Sequence, residues 1–248
     1  MSDLSDKTTI VVGASRGLGH GVAMAFAEAG APVIAVSRTA ADFPEPASGS
    51  GSIQPEIADA TDATAAARLI DRYEPAIIVQ VAGATPHMRP LQEQTWETFS
   101  ANWETDVRIS FCWLREVLLK PLRPGSRVIV VSSGAALAGS PLSGGYAGAK
   151  ATQRFITGYA QGEANRAGLD IHFTTVLPKF APMTGVGQPA VQAYAALAGL
   201  PLEEFLKGQG PLLNPEIAGT ALVELAQADA GDVASSYLLS GAGLRKLP

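Results

Sequence analysis

The chain has 248 residues, of which 47% are hydrophobic and 17% charged, and its formal net charge at pH 7 is −5. This length allows one large domain with a sizeable core, or two small domains. The acidic balance argues against a nucleic acid or an anionic membrane as the main partner, and a single cysteine, Cys112, excludes an internal disulfide scaffold. Charge is sparse against a norm of about 25%, which indicates extra buried surface such as a subunit interface.

Neither a secretory signal nor a membrane span is expected. The first seven residues carry charge where a signal needs an apolar run, so we predict a cytoplasmic protein. Residues 128–149 and 180–202 lack charge, but Gly, Pro, Ser and Gln interrupt both segments and would leave polar groups unsatisfied in lipid.

Short apolar runs, mostly β-branched, alternate with helical patterns along the chain. Such runs are typical of strands that are buried on both faces of a parallel sheet. We predict strands at residues 9–12, 33–36, 53–58, 76–81, 127–131, 171–176 and 235–240. We predict helices at residues 17–29, 61–73, 95–119, 146–166 and 215–227. The Gly/Ser-rich residues 47–52 predict a flexible loop in a short or irregular second crossover.

This alternation predicts an α/β fold. The expected architecture is a single-domain, doubly wound Rossmann-type fold over residues 1–248, with a parallel sheet of about seven strands flanked by helices.

The first predicted strand runs into a glycine-rich turn, Gly13-Ala-Ser-Arg-Gly17-Leu-Gly19. Gly13 permits a tight turn, Gly17 lets the backbone approach a pyrophosphate, and Gly19 allows close packing of the helix on the sheet. The helix N-terminus then offers N–H groups and a positive dipole end to the anion. The spacing differs from G-x-G-x-x-G, and three glycines can also form an ordinary strand–helix turn. The position between the first strand and the first helix favours a dinucleotide site.

The end of the second strand bears on cofactor choice. A chain that binds NAD usually has a carboxylate there for the ribose 2′-hydroxyl, whereas this chain has Ser37 and Arg38. Arg38 can pair with a 2′-phosphate, and Arg16 adds a second cation. The alternative is that both arginines are ordinary solvated charges. The absence of an acid favours NADP(H) over NAD(H). Asp59, after the third strand, either meets the adenine ring or caps the next helix.

Three residues form a candidate catalytic group. Tyr146 and Lys150 stand four apart, on one face of a helix, and Ser132 and Ser133 follow the fifth strand at the edge where open α/β sheets build their sites. A free phenol, which titrates near pH ~10, is a poor acid–base group at neutrality, but an adjacent ammonium stabilises its anion. Ser133 can hold a substrate oxygen beside the phenol. A Tyr and a Lys four apart also occur by chance, so the prediction depends on the three residues together.

Together these features resemble the short-chain dehydrogenase/reductase family, in its compact branch that prefers NADP(H), over nearly the whole chain. The resemblance rests on the glycine turn, on Ala82-Gly83, and on Ser133, Tyr146 and Lys150. It implies an oxidoreductase that interconverts a carbonyl and an alcohol on a small-to-medium apolar substrate. Tyr146 would be the general acid/base, Lys150 would hold the nicotinamide ribose, and Ser133 would orient the substrate oxygen. The residues expected at the cofactor are Gly13, Ser15, Arg16, Gly17, Leu18, Gly19, Ser37, Arg38, Asp59, Ala60, Ala82, Gly83, Tyr146, Lys150, Pro178 and Thr184. We expect no metal.

One departure from the family pattern touches the catalytic group itself. Asp106 stands where the family has an Asn that anchors a proton-relay water. Asn102, one turn earlier on the same predicted face, is the alternative candidate for that role. A third interpretation makes Asp106 a surface acid.

Three other positions also differ from the family. Val12 replaces a Thr before the first glycine, Gln80-Val81 replaces a pair of Asn residues, and Lys179 replaces a Gly. These departures leave two other functions open. One is a nucleotide-binding regulatory or scaffold protein with a degenerate site, and the other is a non-redox reaction on the same fold.

The segment after Pro178 covers the substrate in this family, and we expect a lid at about residues 180–213. Its uncharged part predicts a pocket for an apolar or aromatic carbonyl compound, unless these side chains pack within the lid or at an interface. The apolar candidates are Phe180, Met183, Val186, Val191, Tyr194 and Leu197. A second candidate substrate edge is formed by His87, Met88 and Arg89.

The resemblance also implies a homotetramer or a homodimer. The helices at 95–119 and 146–166 carry the family's usual dimer surface. Trp96, Trp103 and Trp113, on the first of them, are candidates for that surface or for the core.

Overall fold

The apolar β-branched runs form the strands of one sheet in the computed structural model, which describes residues 4–46 and 51–248. Eight strands lie within those residues: β1 (Thr9–Val12), β2 (Pro32–Ser37), β3 (Ser52–Ile57), β4 (Ile77–Gln80), β5 (Ser126–Val131), β6 (Ile171–Pro178), β7 (Ser236–Ser240) and β8 (Gly243–Leu247). Their order is β3-β2-β1-β4-β5-β6-β7-β8, and β1 to β7 are parallel. The predicted doubly wound Rossmann-type fold is confirmed.

Helices cover both faces of the sheet. They are α1 (Gly17–Glu28), α2 (Ala63–Tyr73), α3 (Trp96–Asn102), α4 (Arg108–Leu119), α5 (Ala135–Ala138), α6 (Gly144–Arg166), α7 (Gly187–Leu197), α8 (Leu202–Lys207) and α9 (Pro215–Gln227). Successive strand residues point to opposite faces. Val11 accordingly packs in the cluster that includes α1 and α9, whereas Ile10 packs in the cluster of α2, α4 and α6.

The last strand, β8, was not predicted. It pairs antiparallel with β7 at the sheet edge, and its partners run from Ser240↔Gly243 to Ser236↔Leu247. Arg245 and Lys246 occupy its middle and are exposed. An edge strand faces solvent and therefore lacks the continuous apolar run by which the buried strands were found.

The helix predicted at 95–119 consists of three consecutive segments. Between α3 and α4, residues Trp103–Val107 form a wider π-helical turn. Such turns occur frequently at functional sites. Both candidates for the relay position, Asn102 at the end of α3 and Asp106 in the π segment, are buried. The sequence pattern did not reveal this interruption, because one extra residue in a turn hardly changes a helical periodicity.

The second crossover contains no helix or strand over residues 38–46, which agrees with the expected irregular connection. Most of the loop predicted at 47–52 lies outside the described residues, since β3 already begins at Ser52. Across residues 4–46 and 51–248, no helix has both the length and the apolar character to cross a membrane. The predicted lid segment, 180–213, contains α7 and α8.

The order of the strands determines the edge of the sheet at which the site lies. The chain leaves β1 for the β2 side of the sheet and later returns to the β4 side, so β1 and β4 are neighbours whose connections diverge. Ligands of open α/β sheets bind outside the carboxyl ends of the strands at such a switch point. The glycine turn, Ala82-Gly83 and Ser132-Ser133 follow β1, β4 and β5, so they meet at this edge.

Candidate functional site

A cavity of about 820 Å³ lies at the carboxyl ends of the central strands. Every residue predicted at the cofactor lines it, and so do Ser133 and Asp106. Asn102 lies behind the wall, where it contacts the backbone of Ala84. The fold thus brings residues from the first and the last thirds of the chain to one cavity.

In the glycine turn, the backbone after β1 lies close to the backbone after β4. Gly13 has a φ of +92°, and a Cβ there would lie 2.5 Å from the backbone nitrogen of Ala82. A Cβ on Gly19 would lie 2.1 Å from the carbonyl oxygen of Gly13. Neither space admits a side chain, so the backbone itself forms this wall of the cavity. Helix α1 begins here, and its first N–H groups have no partner within the helix.

Polar groups gather beyond the end of β2. Ser37, Arg38 and Asp59 line the cavity, and Arg16 approaches it from the glycine turn. The N–H and the hydroxyl of Thr61 donate to Asp59 at 2.9 and 2.8 Å. These hydrogen bonds, helped by the charge of Arg38, hold the pKa of Asp59 below its ordinary value.

Asp59 does not cap the following helix. Helix α2 begins at Ala63 rather than at residue 61, and its cap is Asp62, which accepts a hydrogen bond from the Thr64 N–H at 2.9 Å. The capping interpretation of Asp59 was therefore wrong. Asp59 remains free to act at the cavity edge.

The candidate catalytic residues lie where β5 meets the start of α6. The Ser132 hydroxyl donates to the carbonyl oxygen of Lys150 at 2.7 Å and so ties α6 to the end of β5. The Lys150 ammonium lies 5.5 Å from the centroid of the Tyr146 ring. Ser133 is half-buried, and its hydroxyl accepts a hydrogen bond from the Ala135 N–H at 3.2 Å. A phenol, an ammonium and a hydroxyl thus line the same cavity.

Lys150 and Asp106 form a buried ion pair. The ammonium lies 3.1 Å from Oδ2 of Asp106, and both side chains are almost fully buried. The ammonium also donates to the carbonyl oxygen of Val131 at 3.4 Å. Burial is the largest single influence and lowers the pKa of Lys150, but attraction to Asp106 and Tyr146 outweighs it, so the pKa lies above its ordinary value. Lys150 is therefore cationic throughout the physiological range.

Asp106 and Asn102 together hold the backbone of Ala84. The Ala84 N–H donates to Oδ1 of Asp106 at 2.8 Å, and the Asn102 side chain donates to the Ala84 carbonyl at 2.8 Å. The interpretation of Asp106 as a surface acid was wrong, since the residue is 0% exposed. Asp106 reaches the cavity, and Asn102 supports the loop in front of it.

Gln153 is a supporting residue that the sequence did not single out. Its amide nitrogen donates to the carbonyl oxygen of Asp106 at 3.0 Å and to the Ser110 hydroxyl at 2.7 Å. It lies three residues after Lys150, and therefore on the same face of α6. The available signal in the sequence was a polar residue about one helical turn after Lys150, on the same helix face.

The lid residues divide into three groups. Phe180, Val186 and Tyr194 line the cavity, Val191 is buried away from it, and Met183 and Leu197 are exposed. The alternative that the lid side chains avoid the cavity thus holds for only part of the set. The Phe180 ring packs edge-on against Tyr194 and Phe205, with centroids 5.7 and 5.9 Å apart.

A hydroxyl chain joins the lid to the catalytic segment. Ser140 hydrogen-bonds to the hydroxyl of Tyr194 and, at 2.6 Å, to that of Ser143, which lies just before α6. On the other substrate edge, Met88 lines the cavity, whereas His87 and Arg89 are exposed and do not. Thr184 lines the cavity against Gly17, and its own hydroxyl donates to the Ala181 carbonyl at 2.8 Å.

The other departures from the family pattern lie in different surroundings. Val12 is buried in the core, and Val81 and Lys179 line the cavity. Gln80 is 2% exposed, and its amide has no hydrogen-bond partner among the described residues.

Comparisons with known proteins agree with this geometry. The model of the short chain dehydrogenase family matches residues 7–194. The hydroxynaphthalene reductase-like protein Arp2 of Metarhizium brunneum is 28% identical over 262 residues, covering 97% of this chain and 95% of that protein. Two crystal structures share the fold. A short chain dehydrogenase from Mycobacterium avium has a TM-score of 0.76 at 22% identity, covering 100% of this chain and 86% of that one. One from Burkholderia cenocepacia J2315, in complex with NADP, has a TM-score of 0.69 at 21% identity, covering 94% and 87%. The matched residues make up most of the chain, which therefore belongs to the short chain dehydrogenase family of nicotinamide-dependent oxidoreductases.

Proposed function

We propose that this protein is an NADP(H)-dependent reductase that converts a small-to-medium apolar ketone or aldehyde into an alcohol, and catalyses the reverse reaction. One observation carries the proposal. Ser133, Tyr146 and Lys150 converge on a cavity that has a glycine-lined turn at one end and an aromatic lid at the other.

The residues present fit a dinucleotide. The space at Gly13 and Gly19 is too tight for a Cβ, so backbone N–H groups are open to a pyrophosphate at the N-terminus of α1. Arg38 follows the end of β2, where a 2′-phosphate would lie, and Arg16 supplies a second cation to the cavity from the glycine turn. When bound, the cofactor supplies or takes up the hydride.

The protein's own groups manage the proton and the substrate oxygen. Ser133 and Tyr146 both line the cavity, where the hydroxyl and the phenol would hydrogen-bond to a carbonyl oxygen. Tyr146 donates its proton to that oxygen as the carbonyl carbon is reduced. Lys150 stabilises the phenolate that remains.

The lid end of the cavity favours an apolar or aromatic substrate. Apolar side chains predominate there, among them Met88, Leu137, Phe180, Val186 and Phe205, and Lys179 is the neighbouring cation that also lines the cavity. Aromatic walls of this kind bind a flat apolar ring by stacking and burial. The name of the Metarhizium relative, a hydroxynaphthalene reductase-like protein, supports a bicyclic aromatic carbonyl compound as the first substrate class to test.

The proposal is tested by following cofactor oxidation with NADPH and with NADH against aromatic and aliphatic ketones. NADPH should give a kcat/KM at least about tenfold higher, because a charge-assisted pair contributes about 1.5–3 kcal/mol. In Arg38→Asp the KM for NADPH should rise far more than that for NADH.

A matched control is Arg68→Glu, a similar charge reversal at an exposed residue of α2 that does not line the cavity. It should leave the ratio of the two KM values unchanged. Equal effects of Arg38→Asp on both cofactors would refute the preference for NADP(H). A lack of turnover across the whole panel, with NADPH bound, would instead favour a nucleotide-binding regulatory protein.

We also propose that the protein is a homodimer or homotetramer through the outer face of α4 and α6. Phe111, Phe155 and Tyr159 are 57%, 60% and 66% exposed on these neighbouring helices. An aromatic surface of this kind is costly in water and typical of an interface. Phe155→Glu should lower the mass measured by light scattering to that of a smaller species. Ile57→Glu, at an exposed apolar residue on β3, is the control and should leave the mass unchanged. A monomeric wild-type protein would contradict the proposal.

A further inference from the structure

We propose that Asp106 is a positioning residue that neutralises Lys150, keeps Tyr146 in its proton-donating form, and so suits this site to carbonyl reduction at neutral pH. The inference rests on the proposed function and deepens it, because it assigns the favoured direction of the reaction.

The ion pair is built into the fold. Asp106, in the π segment, is 0% exposed and lies 3.1 Å from the Lys150 ammonium. Gly83 leaves room for the carboxylate, since a Cβ there would lie 2.8 Å from Oδ2 of Asp106. The Ala84 N–H holds Oδ1, and Gln153 holds the backbone carbonyl of Asp106. These two hydrogen bonds hold the carboxylate and its backbone beside the ammonium.

The two oxygens of the Asp106 carboxylate make different contacts. Oδ1 accepts from the Ala84 N–H at 2.8 Å. Oδ2 is buried and has no aligned hydrogen-bond donor among the described residues, so its contact with Lys150 is an ion pair. An Asn at this position would keep the first contact and lose the second. The charge of Asp106 thus acts on Lys150.

The negative charge of Asp106 offsets the positive charge of Lys150 and so weakens the effect of the lysine on Tyr146. An unpaired ammonium 5.5 Å from the phenol ring would favour the phenolate. A carboxylate 3.1 Å from that ammonium cancels much of its field, and the pair is buried where screening is weak. The positive field that Lys150 exerts on Tyr146 is therefore weaker than that of a lone lysine at the same distance.

Other ionisable groups do not cancel the effect of Asp106 on Lys150. The groups on the elements packed against α6 have other contacts or face solvent. Glu97 and Glu104 are exposed, Arg108 and Cys112 contact the Thr61 carbonyl, Arg115 pairs with Glu116, His172 pairs with Asp170, and Arg127 contacts the Ala228 carbonyl. Helix α5 carries none, and on α6 itself Arg154 contacts Ser236 and the Pro248 carbonyl, Tyr159 is exposed, and Glu163 pairs with Arg166. Lys179, just after β6, lines the cavity but is exposed to solvent. The charges that act on Lys150 are those of Asp106 and Tyr146.

The protonation state of Tyr146 decides which direction is ready to proceed. In reduction, the carbonyl carbon gains a hydride from the reduced nicotinamide, the C=O π bond breaks, and the oxygen takes the Tyr146 proton. The resulting phenolate recovers a proton from solvent, so the sum is carbonyl, reduced cofactor and H⁺ giving alcohol and oxidised cofactor. Oxidation requires the phenolate at the start. A protonated Tyr146 is therefore ready for reduction.

The test is Asp106→Asn, assayed from about pH 6 to about pH 10 in both directions, with NADPH and an aromatic ketone and with NADP⁺ and the corresponding alcohol. The fall in kcat/KM for reduction should begin about one pH unit lower than in wild type. Oxidation at pH 7 should become about tenfold faster, since one pH unit is a tenfold change in the phenolate fraction. Unchanged pH profiles would overturn the proposal.

Asn102→Ala separates charge from structure. It removes the hydrogen bond to the Ala84 carbonyl and a longer one, at 3.5 Å, to Oδ1 of Asp106, and it changes no charge. A loss of rate without a shift of the pH profile is expected. A shift equal to that of Asp106→Asn would show that loop position, and not charge, is responsible, and would overturn the proposal.

Two measurements keep the proposal testable if Asp106→Asn does not fold or no substrate is found. In the wild-type protein, kcat/KM for oxidation should still be rising at about pH 9, and a plateau near pH 7 would overturn the proposal. Tyrosinate absorbance, taken as the difference between wild type and Tyr146→Phe, should appear at lower pH in Asp106→Asn. That titration needs no turnover, so its result is independent of whether the proposed reductase activity is found.

Discussion

Tyr146→Phe is expected to lower kcat by at least about 100-fold, because the variant keeps the ring but loses the proton that the substrate oxygen must receive. Lys150, Ser133 and the ion pair with Asp106 would remain in place, and the lost hydroxyl is not required to position α6, which Ser132 holds. NADPH affinity, measured by fluorescence titration, should change little. Single-turnover rates with saturating NADPH then report the chemical step alone.

The same variant discriminates between the competing functions. Full turnover in Tyr146→Phe would refute the proposed acid–base role of this tyrosine. If the wild-type protein binds NADPH and the variant has no measurable defect in any assay, a regulatory nucleotide-binding function becomes the better account.

Gly145→Ala is expected to reduce the free energy of unfolding by about 3 kcal/mol, the upper end of the usual cost of overpacking. A Cβ on Gly145 would lie 1.9 Å from the carbonyl oxygen of Phe99 in α3, so two helices must separate. Gly145 directly precedes Tyr146, and a shift of about 1 Å at a catalytic group can lower the rate about 100-fold. Thermal unfolding and kcat should therefore fall together.

Gly148→Ala, on the same helix, is the matched control. A Cβ on Gly148 would have no atom of a neighbouring element within 4 Å. Alanine in a helix interior is about 0.5–1 kcal/mol more favourable than glycine, so this variant should be as stable as wild type or slightly more so. Equal melting temperatures for the two variants would show that α3 and α6 do not make the tight contact described.

The fold class followed from local patterns. Runs such as residues 9–12 and 128–131 are buried on both sheet faces, and that burial is visible as uninterrupted β-branched sequence. The edge strand β8 was missed because solvent on one side permits Arg245 and Lys246 within it. Bounds at helix ends also differed, since α2 begins at Ala63 rather than at the predicted residue 61.

Part of the candidate site followed from spacing along the chain. Tyr146 and Lys150 are separated by one helical turn, and the glycines lie in a single turn, so their proximity needs no knowledge of the fold. Their binding of a cofactor remains a prediction.

The sequence by itself therefore determined the layer architecture, the family and the residues that gather at the carboxyl ends of the strands, because periodicity and short spacings record contacts within one element or one loop. Only the tertiary structure placed Asp106 at the cavity and Asn102 behind its wall, divided the lid side chains among cavity, core and solvent, and revealed the ion pair with Lys150. These contacts join elements far apart in the chain. They depend on the depth at which the helices pack against the sheet and against each other, which residue spacing does not record.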